Sequence, residues 1–344
     1  MYAKNSAIIM TSRVRLARNV AGARFPNAAS EADLSRVFDE CAAALLKIKG
    51  AKRAMIARMS DLTEFWREML IEDRIASREL PAARTSGVFY APKSPVSAMI
   101  NEEDHLRIQA IGKGECLADL WKDLDAADDA VEKNLEYSYS EQVGYLTACP
   151  TNTGTGMRAS LMMHLPVLQM SGQMEKIVRG LNQLGMVVRG ADGEGSDTFG
   201  AFFQLSNQQT LGLSEDEIVE KIVKFGNKLC EFEANARAKM LEEEPLLLSD
   251  KISRALALLR SCKLIDTEES ISLLSTVRLA ADMGFLKGAA QLVRDIDALM
   301  IQIKPSHLCE KFRCGENIPA DERDKIRAAF VNAFAAAVPE PKIK

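Results

Sequence analysis

The strongest constraint in this chain is a change of pattern near Asn207. Before it, short apolar runs alternate with helical stretches; after it no strand pattern appears, and helix follows helix. The change opens with Ser214 to Leu241. Ser214 and Glu217 have the spacing of a capping box, in which each side chain satisfies a backbone N–H of the other. Ile218, Ile222, Phe225, Leu229, Phe232 and Ala236 then recur every three or four residues as one apolar stripe. Pro245 marks a break, and the spacing predicts helices over Ser249–Cys262, Thr267–Met283, Ala289–Ile303 and Asp321–Ala337. A chain of 344 residues is long enough for two domains. We expect an α+β domain over 1–245 and an all-α domain over 246–344.

Within the first part, helices are expected over 30–49, capped by Ser30 with Asp33 in the first turn, and over 61–72, capped by Asp61 with Glu64. Residues 54–59 read as a strand, and Val88–Tyr90 with Val96–Ile100 as a hairpin. Leu106, Ile108, Ile111 and Leu117 are expected on a helix, and Asp119–Asn134 on another. Tyr145–Thr147 is a short strand, and Ala159–Leu165 is buried. Gln173–Leu184 is a helix ended by Gly185, with strands at Met186–Arg189 and Phe202–Ser206.

Composition narrows the function. A net charge of −4 provides no global basic field for nucleic acid. Seven cysteines without paired spacing, and no secretory leader pattern, point to reduced thiols in the cytoplasm. Cys309 and Cys314 lack a second ligand pair, so no structural zinc is expected. No apolar run reaches the length of a membrane span.

Four stretches carry the chemistry. In TSRVRLARN, Arg13 and Arg15 share one side of an extended segment and repel unless an anion lies between them. In NEEDHLR, the adjacent acids Glu102, Glu103 and Asp104 need cations, and a guanidinium pairs with a carboxylate through two parallel hydrogen bonds; Arg107 is placed to face phosphate. In GYLTACPTNTGTGMRASLMMHL, small residues admit close backbone approach to a ligand, Arg158 supplies a forked cation, and Cys149 sits beside polar backbone. RGADGEGSDTFG holds four glycines with Arg189 and Glu194 and suits a glycine-rich loop or lid. Neither the P-loop nor the GxGxxG fingerprint is present. Taken singly, each has a plainer reading: a solvated basic edge, a charged turn with a helix cap, a connecting loop with a core cysteine, a hairpin loop.

Together and in this order, with QLSNQQTLG behind the last, these stretches closely resemble the ATP:guanidino phosphotransferase family, and within it the protein-arginine kinases. The likeness runs from about Ile8 to the C-terminal helix. It implies a mainly antiparallel sheet flanked by helices, followed by a helical C-terminal domain that forms a homodimer. It implies ATP and Mg²⁺, and an arginine cage made of Arg13, Arg15, Arg107, Arg158 and Arg189. The nucleotide-binding segments would be Thr11, Ser12, Arg13, Val14 and Arg15; Arg158, Ala159, Ser160, Leu161 and Met162; and Arg189, Gly190, Ala191, Asp192 and Gly193. Arg74, in LIEDRIAS, stands where related sequences often carry a nucleotide-contacting histidine. Glu103 matches the catalytic carboxylate, Glu194 a second guanidinium-holding carboxylate, and Cys149 the active-site cysteine, whose thiolate is oxidation-sensitive.

Only ten residues precede Thr11. The resemblance therefore implies that the helical domain and substrate-covering loop of the small-molecule kinases are missing, and an uncovered site would admit an arginine on a protein surface. Near the end, Arg323, Asp324, Arg327 and Ala328 resemble an allosteric phosphoarginine pocket. Arginines there would take phosphate and the aspartate the guanidinium; taken alone, the spacing equally fits charge pairs along an exposed helix. The implied activity is phosphorylation of protein arginines, marking proteins for a Clp-type unfoldase and protease, with a zinc-finger activator as a further partner. The alternatives are a kinase of free arginine or another small guanidino compound, and a phosphoarginine-binding adaptor without catalysis.

Overall fold

The computed structural model describes residues 7–92, 94–190, 198–315 and 318–343. Its first part contains β1 (Ile9–Arg18), α1 (Glu31–Leu45), β2 (Met55–Arg58), α2 (Glu64–Glu72), β3 (Gly87–Tyr90), β4 (Val96–Ile100), β5 (Leu106–Lys113), α3 (Leu117–Glu132), and a small hairpin, β6 (Tyr139–Ser140) with β7 (Gly144–Tyr145). Then come β8 (Met157–His164), α4 (Pro166–Met170), α5 (Met174–Gln183), β9 (Met186–Gly190), β10 (Phe202–Asn207) and the long α6 (Glu215–Glu243). Eight strands form one sheet in the order β2-β3-β4-β5-β1-β8-β10-β9, with antiparallel neighbours throughout.

The period of two along each strand gives this sheet two unlike faces. Val14, Leu16, Ile108, Ala110, Ala159, Leu161 and Leu205 are fully buried in one core cluster with apolar residues of α1, α3 and α6. Gly226 of α6 allows the close approach: a Cβ there would lie 2.4 Å from Cδ1 of Leu161. The opposite face carries the arginines.

The helical part comprises α7 (Pro245–Ser261), α8 (Thr267–Asp282), α9 (Ala289–Gln302), α10 (Pro305–Phe312) and α11 (Ala320–Ala337), packed around a second core that also takes in Met162, Val167 and Phe202 of the first part. Buried polar contacts join the two parts. Glu233 accepts from the backbone N–H groups of Val167 and Leu168 and from Nε of Arg237 at 2.7 Å, and Arg237 also pairs with Asp282. At the end of β8, His164 accepts from Arg278 at Nδ1 and donates from Nε2 to Ser275, whose hydroxyl donates to the Gly200 carbonyl. Burial, then the charges of Arg278 and Arg237, hold this imidazole neutral well below its ordinary range. Glu72, at the end of α2, accepts from the N–H groups of Ser306 and His307 and so caps α10.

Ser30 and Ser214 cap α1 and α6 as expected, the latter with Glu217 in a complete capping box. Three expectations change. Leu106–Lys113 is a strand, because Arg107 and Gln109 face the arginine side while Ile108 and Ala110 face the core. Thr63, not Asp61, caps α2, since Asp61 ends a separate single turn. The short α10 was not anticipated from the sequence. Among the described residues, none after Asn207 is in a strand.

Candidate active site

Register brings the cage together. Arg15 lies opposite Arg158 on β8 and Gln109 on β5; Ala17, on the same side, lies opposite Arg107. Arg13 lies opposite Ser160, and Gln204, opposite Met162, lies opposite Arg189 on β9. All five arginines therefore project from one face of the sheet, four from the contiguous strands β5, β1 and β8 and Arg189 from β9, beyond β10. Arg74 reaches the same area from the turn after α2, where it holds a left-handed backbone with φ of 61°. Its carbonyl accepts from the Gln109 side chain, and its charge acts on Arg13. A narrow pocket there is lined by Thr11, Arg13, Arg74, Ser160, Met162 and Gln204.

The electrostatics are those of crowded like charges. Burial, then Arg74, Arg107 and Arg158, lower Arg13 from 12.5 to about 10. Burial, then Arg13, Arg107 and Arg158, push Arg15 well below its ordinary value, with Glu102 opposing. Arg158 is lowered by burial and by Arg189 and Arg107. The Nε atoms of Arg15 and Arg158 are buried without a hydrogen-bond partner. Unsatisfied donors and mutual repulsion in one place fit a polyanion such as a nucleotide phosphate chain.

The acids sit at the rim. The turn from β4 to β5 is closed by backbone bonds from Asn101 to His105 and from Glu102 to Asp104. Arg107 is paired with Glu102 at 2.8 Å and Glu103 at 3.0 Å. Glu102 is nearly buried and also accepts from Ser77, whereas the Glu103 side chain is 44 % exposed and open to a ligand. Partial burial raises the Glu103 carboxyl above its usual range, with Asp104 and Glu102 adding to the effect and Arg107 and Arg158 opposing it. Cys149 is half-buried, with Sγ 3.0 Å from the Thr151 hydroxyl. Glu103 and Cys149 both lie within electrostatic reach of Arg158, so the two groups meet the cage at the same arginine.

Four residues of the expected nucleotide set face the other way. Val14, Ala159 and Leu161 are fully buried among the helices, and Ser12 binds the Gly114 carbonyl and the Cys116 N–H. The period of two places them there, so their side chains have no access to the cage. Gly190 ends β9. Ala191, Asp192, Gly193 and Glu194 lie outside the described residues. On α11, Arg327 is buried and donates to the carbonyls of Ile303 and Ile265 and to Asp324, and Ala328 is buried beside it; Arg323 is half-buried and donates to the Ile318 carbonyl. Asn19, Asp104 and His105, buried behind the Glu103 turn, were not singled out from the sequence as a unit, because their partnership depends on contacts between distant segments.

An arginine cage on a sheet face, with a carboxylate and a thiol at its rim, suits transfer of a phosphoryl group to a guanidinium. Residues 36–236 match the family described as ATP:guanido phosphotransferase, C-terminal catalytic domain, and residues 245–344 match the one described as Protein-arginine kinase McsB C-terminal domain. The chain is 39% identical to a protein-arginine kinase of Bacillus pumilus over 95% of its own length and 89% of that protein's. It is 37% identical to the protein-arginine kinase of Symbiobacterium thermophilum, covering 96% and 94%. The fold is similar to that of lombricine kinase (TM-score 0.61, 25% identity, 70% of this chain and 69% of that one). It is also similar to the duplicated taurocyamine kinase from Schistosoma mansoni (TM-score 0.63, 22% identity), covering 76% of this chain and 40% of that longer one. The chain belongs to the ATP:guanido phosphotransferase family, in its protein-arginine kinase branch, and is an ATP-using phosphotransferase. No described helix is long and apolar enough to cross a membrane.

Proposed function

We propose that this chain transfers the γ-phosphoryl group of ATP to arginine side chains of proteins. The convergence of five mutually repelling arginines with Glu103 and Cys149 at one rim supports the reading best. The cage is preorganised where charge develops on the moving phosphoryl group. The P–O bond to ADP breaks, an N–P bond to the acceptor guanidinium forms, and the proton leaving that nitrogen passes to Glu103. Cys149 and Glu194 hold the remaining guanidinium nitrogens. Mg²⁺ would neutralise phosphate charge, held mainly by phosphate oxygens and water.

In this reading residues 1–245 are catalytic, and 246–344 mediate homodimerisation and sense phosphoarginine. There Arg323 and Asp324 meet the ligand, with Arg327 and Ala328 as the framework beneath. The protein acts in the cytoplasm, takes a zinc-finger protein as activator, and marks clients for a Clp-type unfoldase. The test offers Mg-ATP with an unfolded arginine-containing protein in one reaction and free arginine in another, with N–P bonds mapped by mass spectrometry under conditions that preserve them. Phosphate on protein arginines is the expected result. Phosphate on free arginine alone would overturn it, and no transfer in either would favour an adaptor.

A further inference from the structure

Asp104 is the third acid of the Glu102–Asp104 turn. Asp104 is completely buried. Its Oδ1 accepts from Nδ2 of Asn19 at 2.7 Å and from the backbone N–H of Ala148 at 2.7 Å, while its Oδ2 is buried with no hydrogen-bond partner. Asn19 completes the link. Its Oδ1 accepts from the His105 N–H at 2.9 Å, and its Nδ2 also donates to the Leu146 carbonyl at 3.0 Å. His105 is fixed in turn, accepting from the Val20 N–H at Nδ1 and donating from Nε2 to the Arg24 carbonyl. Burial lowers this imidazole's affinity for a proton, so it stays neutral with Nε2 protonated.

The covalent neighbours give the arrangement its meaning. Asp104 follows Glu103 directly, and Ala148 precedes Cys149 directly. One buried carboxylate oxygen thus ties the turn bearing the carboxylate to the loop bearing the thiol. Both other contacts of Asn19 repeat the tie, one to each segment. The Glu103 side chain is itself partly exposed, and it pairs with Arg107 on its own hairpin. The distance between the two groups that grip the acceptor therefore depends on the contacts beneath them.

We propose that Asp104, with Asn19, is a positioning residue for phosphoryl transfer, setting the separation between Glu103 and Cys149. The inference rests on the roles given to those two residues above. Reaction within a bound pair requires near-attack geometry, and a displacement of about 1 Å at a remote support costs on the order of a hundredfold in rate. A buried carboxylate with one unmatched oxygen is an expensive way to fill space, and a rigid two-way anchor gives that cost a use.

The test uses the whole chain with Mg-ATP and an arginine-containing protein substrate, and compares Asp104→Ala, Asp104→Asn, Asn19→Ala and the Asn19→Ala/Asp104→Ala double variant. Asp104→Ala is expected to lower kcat about 10- to 100-fold while leaving KM for ATP within about twofold. Asp104→Asn retains an oxygen acceptor and is expected to recover most of the rate. The alkylation rate of Cys149 by iodoacetamide, read on its own peptide, reports loop position without turnover and should change in Asp104→Ala and Asn19→Ala alike. The two single effects should be non-additive, since both break one link. Thermal unfolding identifies any variant that fails to fold, and if Asp104→Ala does, Asn19→Ala carries the same readouts. Unchanged kcat and unchanged Cys149 alkylation in folded Asn19→Ala or Asp104→Ala would overturn the proposal, as would simple additivity. Failure of the underlying reading looks different: there, Glu103→Gln and Cys149→Ala would themselves leave transfer intact.

Discussion

Replacing Arg13 by Met is expected to make the protein more stable and less able to bind nucleotide. Arg13 is held at about 10 against an ordinary 12.5, chiefly by burial and then by Arg74, Arg107 and Arg158. At about 1.36 kcal/mol per pKa unit, the charged form costs about 3 kcal/mol in the folded protein. The side chain keeps some contact with water, and screening reduces this, leaving about 1–2 kcal/mol. The lost bond to Gln204 (2.9 Å) is replaced by water at that half-buried amide. With about 2.1 cal/mol/K per residue of unfolding entropy, Tm should rise by about 1–3 °C. The sign has a further consequence. A base whose folded pKa lies below its unfolded one destabilises at neutral pH, and the cost falls away as pH rises through about 10. The advantage of Arg13→Met over the parent should therefore be largest below that pH. Differential scanning calorimetry in phosphate-free, low-salt buffer, with and without Mg-ATP, measures both effects. Saturation to about a hundred times Kd would stabilise the parent by about 2.7 kcal/mol, and the variant by much less. A lower Tm for ligand-free Arg13→Met, or an undiminished response to Mg-ATP, would refute the reasoning.

Glu103→Gln should lower transfer about 10²- to 10⁴-fold while nucleotide binding, followed by calorimetric titration, is retained. Because the Glu103 carboxyl is raised by burial, the acid limb of the parent's pH–rate profile should lie above the ordinary glutamate range and vanish in the variant; a limb that persists would move the base elsewhere. Glu233→Ala removes a carboxylate that caps α4 and holds Arg237, and should cost about 3–5 kcal/mol in urea unfolding. A change below 1 kcal/mol would mean that Asp282 alone satisfies Arg237. Ser214→Ala should cost about 1 kcal/mol, seen as a lower urea midpoint, and an unchanged midpoint would place the stability of α6 in its packing. The Glu217 carboxyl, held below its usual range by bonds from Ser214, stabilises above its unfolded pKa, so part of the difference should disappear in acid.

Helices were legible wherever a cap and an apolar stripe agreed, as at Ser214 and along Ile218, Ile222 and Leu229, which are buried. β5 misled because Leu106, Ile108 and Ile111 fit a loose helical spacing when Arg107 and Gln109 are set aside as polar; both of those residues face the second side of the sheet. α10 escaped because its N-terminal donors are capped by Glu72, some 230 residues away in sequence. The shared side of Arg13 and Arg15 followed from strand period alone. Which strands lie beside β1 did not, because pairing across 88 residues or more depends on the assembled core. The Asn19–Asp104–Ala148 link was hidden for the same reason.

The two-faced sheet also bears on how the chain finds its fold. A slip of one residue along β1 would exchange its faces, driving Arg13 and Arg15 among the apolar side chains of α3 and α6 and turning Val14 and Leu16 outward. The corresponding slip of β5 or β8 would bury Arg107 or Arg158. Charges among hydrocarbon are so unfavourable that misregistered sheets exclude themselves. The side chains proposed to gather phosphate thus also proofread the pairing of the strands that carry them, and a variant with the cage removed would fold under weaker editing than its parent.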